Sequence, residues 1–200
     1  NSIVSSGGSI KGINVKGRSE HMSKNMLQEE LAKKVVPSFG GKGMSWMKVE
    51  NGALVSNIVQ FFKPHEQEAL IKAMKGEDGD VFLFIADTNK DLVNDVLGRL
   101  RLYVGEKQGF IDNTKIAPCW VTEFPMFELK DGRLSSMHHP FTQPGEGIET
   151  ATTTEDFLAL KSLAYDLVIN GEEVGGGSIR IHDPKMQSKI FTALGLSDAD

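Results

Sequence analysis

One stretch, YDLVINGEEVGGGSIRIHD at residues 165–183, constrains this chain more than any other. Asn170-Gly171 is a two-residue hairpin signal, because both residues tolerate the positive φ that a type I′ turn requires. It makes 165–169 and 172–181 antiparallel partners and sets their register. Ile169 then opposes Glu172, and Val168 opposes Glu173. Asp166 shares a face with Val168, so Asp166 and Glu173 become diagonal neighbours, about 7–8 Å apart at their backbones. Two carboxylates so placed can share one hard divalent cation or a cation-bridged phosphate, and without a cation they repel. Arg180 offers a rigid, always-charged fork suited to a carboxylate. It lies an odd number of positions from Glu173, so a regular strand would send the two to opposite faces. Between them sit Gly175, Gly176 and Gly177, and glycine inside a strand marks a bulge or a close approach. The expectation is a β-bulge within 175–177 that returns Arg180 to the face of Glu173. Spacing alone also fits, and by itself favours, ordinary charges on a solvated sheet face.

The rest of the chain supplies a scaffold. Val4, Ile10, Ile13 and Val15 suggest a short strand in a Gly- and Ser-rich opening. Leu27, Leu31 and Val35 recur one turn apart, which predicts a helix from about Met22 that Pro37 stops. GMSWMKV reads as a strand, Glu50-Asn51-Gly52 as a turn and ALVSNIVQFF as strand or extended chain. Pro64 opens a helix reaching Met74. DVFLFIAD reads as a buried strand. Leu92, Val93, Val96, Leu97 and Leu100 form the stripe of a helix capped by Asp87 or Thr88. Residues 1–113 thus form one α+β unit. In 114–200, IAPCWVTEFPMFEL reads as a strand broken at Pro125, and DGRLSSM turns back as a hairpin. HHPFTQPGEGIETAT is a loop expected to be mobile and poor in apolar anchors. A short helix over 157–163, the Asn-Gly hairpin and a helix after Asp183-Pro184 complete the unit.

Formal net charge is −5, and no basic cluster resembles a nucleic-acid face. No apolar run approaches the roughly 20 residues that span a bilayer, and no secretory signal opens the chain. The absence of an initiator Met suggests part of a longer polypeptide. Cys119, the single cysteine, rules out an internal disulfide and is expected as a buried small hydrophobe. Trp46, Trp120 and the phenylalanines are expected in the core. His138 and His139 are adjacent, so a strand could not aim both at one metal, and a paired His in a polar loop is more often on the surface. His21, His65 and His182 lack any partner pattern and read as surface residues.

WVTEFPMFEL, SSMHHPFTQP, AYDLVINGEEVGGGSIRIHDPKMQSKIF and the closing LGLSD, in that order, resemble the bacterial-type aspartyl-tRNA synthetases of class II. GMSWMKV, GDVFLFIAD and VLGRLRLYVG resemble, more loosely, the GAD insertion domain of those enzymes. The fold implied is α+β. A GAD-like mixed α/β insertion domain over 1–113 precedes, over 114–200, part of an antiparallel class II sheet with flanking helices. The activity implied is formation of aspartyl-adenylate from aspartate and ATP, then transfer of the aspartyl group to tRNA. By resemblance Glu173 contacts ATP and its Mg²⁺, and Asp166 is the second acid at that metal. Arg180 grips the side-chain carboxylate of aspartate, and His138 lies on a loop that closes over it. ATP, L-aspartate and tRNA are the implied partners, the last met mostly outside this stretch, in a cytoplasmic homodimer with no membrane association. The dimer-forming first motif and the arginine-bearing second and third motifs of the class are not in this sequence, nor is the anticodon-binding OB domain. The 200-residue chain alone is therefore expected to be inactive. Glu172 stands where an aromatic is common in the family. The alternatives are a non-catalytic GAD-type RNA- or protein-binding module, or a lysyl- or asparaginyl-type class II enzyme. GGGSIRIHD speaks against the first, and Arg180 against a lysine pocket.

Overall fold

The structure, a computed structural model, describes residues 2–196. The end of the LGLSD motif lies outside the described residues. Two compact units, Asn1–Asp112 and Asn113–Asp200, make an α+β protein.

The first unit is a four-stranded antiparallel sheet with helices on both faces. A one-turn helix α1 (Ser2–Ser5) precedes β1 (Ser9–Val15). Helix α2 is a π-helix over Met26–Val35 closed by the α-turn Val36–Ser38. Pro37 does not stop it. The proline sits in the first turn of the α segment, where it forfeits no needed donor, and the chain turns away at Gly40, φ +89°. Then follow β2 (Ser45–Glu50), a turn through Asn51 (φ +52°) and Gly52 (φ +74°), and β3 (Ala53–Val55). The expected strand ends there, and Val59–Phe61 forms a 3₁₀ turn. Helix α3 (Pro64–Ala73), strand β4 (Val81–Asp87) and helix α4 (Lys90–Lys107) complete the unit. The cap of α4 is Asn89, not Asp87 or Thr88. Its side chain accepts from Asp91 N and Leu92 N, while Asp87 instead accepts from Asn89 N and Lys42 Nζ.

The sheet order is β1-β4-β2-β3. β4 is central and buried on both faces, so it reads as a continuous apolar run. Val81, Leu83 and Ile85 face Leu27, Leu31, Val93, Val96 and Leu100 of α2 and α4. Phe82 faces Met47, Val49 and Leu54, under Leu70 and Ile71 of α3. At the end of the sheet Asp80 is buried. Burial raises its carboxyl pKa, but hydrogen bonds from Asn14, Lys16 and the Gly17 and Glu77 amides outweigh that and hold it below the ordinary value.

The second unit contains β5 (Pro118–Thr122) and the hairpin β6 (Phe127–Lys130) and β7 (Arg133–Ser136), turned through Asp131 and Gly132. Helix α5 (Thr154–Ala159), strands β8 (Ala164–Ile169) and β9 (Glu172–Ser178) and helix α6 (Pro184–Leu194) follow. The main sheet is β5-β8-β9, fully antiparallel. The core gathers Met126, Phe127, Ile148, Phe157, Leu160 and Ile190, and Met186 and Leu194 of α6, one turn either side of Ile190, pack on it. Cys119 and Trp120 depart from expectation, since both are exposed, Trp120 by 63%. They lie on an edge strand whose every residue is exposed, so the apolar pattern of β5 has no layer covering it here.

Candidate functional site

The turn at Asn170 (φ +52°) and Gly171 (φ +89°) adopts the predicted left-handed pair. Ile169 faces Glu172 and Val168 faces Glu173, as the hairpin register requires. Beyond that point the ladder shifts. Leu167 pairs with Gly175, Asp166 with Gly176 and Ala164 with Ser178, so Val174 is the extra residue. The bulge therefore precedes the glycines instead of lying within them, and none of Gly175, Gly176 and Gly177 has a positive φ. Its effect on parity is the one anticipated. One inserted residue puts Glu173, Gly176, Ser178 and Arg180 on the face of Asp166.

Each glycine has its own surroundings. A Cβ on Gly176 would collide with Asp166 Oδ1 and stand 3.3 Å from Glu173 Oε1. Both carboxylates therefore converge over this bare backbone. A Cβ on Gly177 would meet Tyr165 Oη at 3.0 Å on the opposite face, where Tyr165 packs edge-on against Trp120. A Cβ on Gly175 would meet nothing within 4 Å.

The polar loop supplies the second wall and is anchored more firmly than its composition suggested. Thr142, Pro144, Ile148 and Ala151 are buried. Backbone bonds tie Gln143 N to Ile179 O, Ile181 N to Phe141 O and Gly145 N to Lys161 O. Backbone pairing to two neighbours and these buried residues give the loop anchors that its Pro and Gly content did not suggest. Within the loop the His138 ring stands edge-on to Phe124 at 5.0 Å, and the His139 ring contacts Phe141 at 4.8 Å. His21, His65 and His182 are exposed, as expected.

Together these elements enclose a depression of about 340 Å³ lined by His138, Asp166, Glu173, Gly176 and Arg180, among others. The four residues singled out from sequence line one site. Sequence reasoning missed Thr142, Ser178 and His139, which also line it. No spacing pattern marks Thr142, because its place depends on the loop joining the strand near Arg180. A larger apolar cavity of about 490 Å³ lies in the first unit, but its one charged lining residue, Lys42, is already paired with Asp87 at 2.7 Å. The smaller depression is the one with convergent polar groups, which is what a ligand site requires.

The donor set bears on a metal. Among the described residues no three His, Cys, Asp or Glu side chains come together. Two convergent carboxylates fit Mg²⁺, which favours oxygen donors and is commonly bound by one or two carboxylates with substrate phosphates and water completing the shell. They do not fit a closed all-protein site.

A family model described as the GAD domain matches residues 1–97. The chain is 54% identical over 199 residues to the aspartate–tRNA(Asp/Asn) ligase 1 of Syntrophus aciditrophicus, covering 99% of this chain and 28% of that protein. It is 42% identical over 212 residues to the aspartate–tRNA(Asp/Asn) ligase of Aquifex aeolicus, covering all of this chain and 34% of that protein. It is 41% identical to the aspartate–tRNA ligase of Geobacillus kaustophilus, covering 98% of this chain and 33% of that protein. The chain thus spans about a third of the length of the curated relatives it matches.

Proposed function

This chain belongs to the aspartate–tRNA ligase family, corresponding to about a third of its relatives' length, and on that premise we propose that its parent protein joins aspartate to tRNA through an aspartyl-adenylate. The observation that carries the reading is the shared face. Two carboxylates and one arginine line a single depression over Gly176, and a bulge at Val174 puts them there.

In the reaction an α-carboxylate oxygen of aspartate attacks the α-phosphorus of ATP. A carbon-bound oxygen–phosphorus bond forms, the α–β phosphoanhydride breaks and pyrophosphate leaves. A ribose hydroxyl at the tRNA end then attacks the acyl carbon, and AMP leaves. Positioning and electrostatics carry such chemistry. Arg180 holds the side-chain carboxylate of aspartate in its bidentate fork, which selects an acidic substrate over lysine. His138 contributes from the loop wall. Glu173 and Asp166 would hold a Mg²⁺ ion. When bound, that ion neutralises phosphate charge. Gly176, having no side chain, leaves room for both carboxylates to converge over its backbone.

Two of the relatives above carry names specifying tRNA(Asp/Asn), so transfer of the aspartyl group should be assayed separately with each of the two tRNAs. Family membership also supports a homodimeric, cytoplasmic parent. Among the described residues no helix is long and apolar enough to cross a membrane.

The test is aspartate-dependent exchange of pyrophosphate into ATP by the full-length parent. Arg180→Lys should raise the KM for aspartate by roughly thirtyfold or more while leaving the KM for ATP nearly unchanged. A charge-assisted contact is worth roughly 2–3 kcal/mol, and lysine keeps the charge but not the fork. Unchanged aspartate kinetics would remove Arg180 from the pocket.

A further inference from the structure

Pairing between β8 and β9 ends at Ala164 and Ser178. Arg180 lies beyond it, and the strand there changes partner from β8 to the loop. Thr142 faces Arg180 in an antiparallel bridge. The flanking backbone bonds are Gln143 N to Ile179 O and Ile181 N to Phe141 O, both 2.9 Å. Thr142 and Arg180 therefore form a non-hydrogen-bonded pair, the kind that brings opposed side chains closest. Both side chains line the same depression. Thr142 is only 2% exposed, and its hydroxyl lies 3.4 Å from Ser178 Oγ. Ser178 precedes Arg180 by two positions on the same face. The segment is braced from behind by Ile179 N to Leu163 O at 3.1 Å and Leu163 N to Gln143 O at 2.8 Å.

We infer that Thr142 is a positioning residue for Arg180, fixing through its contact with Ser178 and its place opposite the arginine where the guanidinium meets the substrate carboxylate. The inference rests on the aspartate-binding role proposed for Arg180. A buried hydroxyl needs a partner, and here the partner belongs to the strand that carries the arginine. The same short segment follows directly on His138 and His139, so one ladder locates the loop wall and the arginine together.

The experiment measures pyrophosphate exchange by the full-length parent with Thr142→Val, which keeps the branched shape and loses the hydroxyl, and with Thr142→Ser, which keeps the hydroxyl. Thr142→Val should raise the aspartate KM about fivefold, the effect of one net hydrogen bond, with the ATP KM within about twofold. Thr142→Ser should restore the wild-type value. Equal rises in both KM values, or no change in either, would overturn the inference. Ser178→Ala breaks the same contact from the strand side and should reproduce the selective effect even if Thr142→Val folds poorly. A wild-type protein without aspartate-dependent exchange would sink the proposed function and this inference with it. An active wild type with an unaltered Thr142→Val sinks the inference alone.

Discussion

A methyl group at Gly176 would occupy the space into which Asp166 and Glu173 reach, whereas one at Gly175 would meet open space and one at Gly177 the hydroxyl of Tyr165. The three adjacent glycines therefore have separable consequences on substitution by alanine. Gly175→Ala should leave exchange activity of the full-length parent near wild type and add a little stability, because it restricts only the unfolded chain. Gly176→Ala should lower activity about a hundredfold by forcing the carboxylates apart, in line with the cost of a displacement near 1 Å at a reacting centre. Gly177→Ala should act through the opposite face, lowering the melting temperature by disturbing Tyr165 against Trp120 more than it lowers activity. Equal losses for all three would show that only backbone freedom matters. None of the three has a positive φ, so contact, not conformation, separates them. The sequence announced that Glu173 and Arg180 needed a register shift to share a face. It did not show that Val174 would supply it, because a bulge depends on cross-strand pairing and not on the residue inserted.

Elements with a local signature were legible in the same way. The Asn170-Gly171 turn, the stripe of α4 and the apolar run of β4 each depend on a period or turn chemistry contained within a few residues. Elements whose environment comes from elsewhere were not. Cys119 and Trp120 read as core because β5 is apolar, yet the strand lies at a sheet edge. The loop after His138 reads as poor in anchors because the backbone partners that hold it, near Ile179 and Lys161, are distant in sequence. Helix α5 starts three residues before the expected 157, because Thr153 and Asp156 form a capping box there. Thr153 Oγ1 accepts from Asp156 N, while Asp156 Oδ2 accepts from the Thr152 and Thr153 amides. Those backbone bonds, first that from Thr152 and then that from Thr153, lower the Asp156 pKa from 3.8 to about 2. A carboxylate depressed on folding adds stability that is complete above its unfolded pKa and disappears as pH falls through the folded one. The melting temperature of the chain should therefore exceed that of Asp156→Asn at pH 6, and the gap should close between about pH 4 and pH 2. A gap independent of pH across that range would mean that the charge of Asp156 does not hold α5.

At the scale of the molecule the two units differ in how completely they are closed. Asn1–Asp112 has helices on both faces of its sheet, with a buried cluster on each side of β4. Among its described residues Asn113–Asp200 has one buried cluster, built around Phe127, Phe157 and Ile190, and its edge strand β5 is exposed along its whole length. Trp120 and Ile116 are 63% and 79% exposed, and Val174 is 56% exposed. A small domain depends on burying most of what its chain can bury, and the described residues of this unit leave much apolar surface in water. Expressed separately, 1–112 should unfold in one cooperative transition. By itself 113–200 should give a broad transition and bind a hydrophobic dye, as loosely packed states do. The proposed site lies in this less closed unit, and the arginine-bearing motifs expected from the resemblance to hold ATP in the proposed reaction are not in this sequence. The 200-residue chain should accordingly show no aspartate-dependent pyrophosphate exchange, although Asp166, Glu173 and Arg180 already share a face. Clear exchange by the purified chain, together with a sharp transition for 113–200, would show that this unit is complete as it stands and that ATP is held by residues within it.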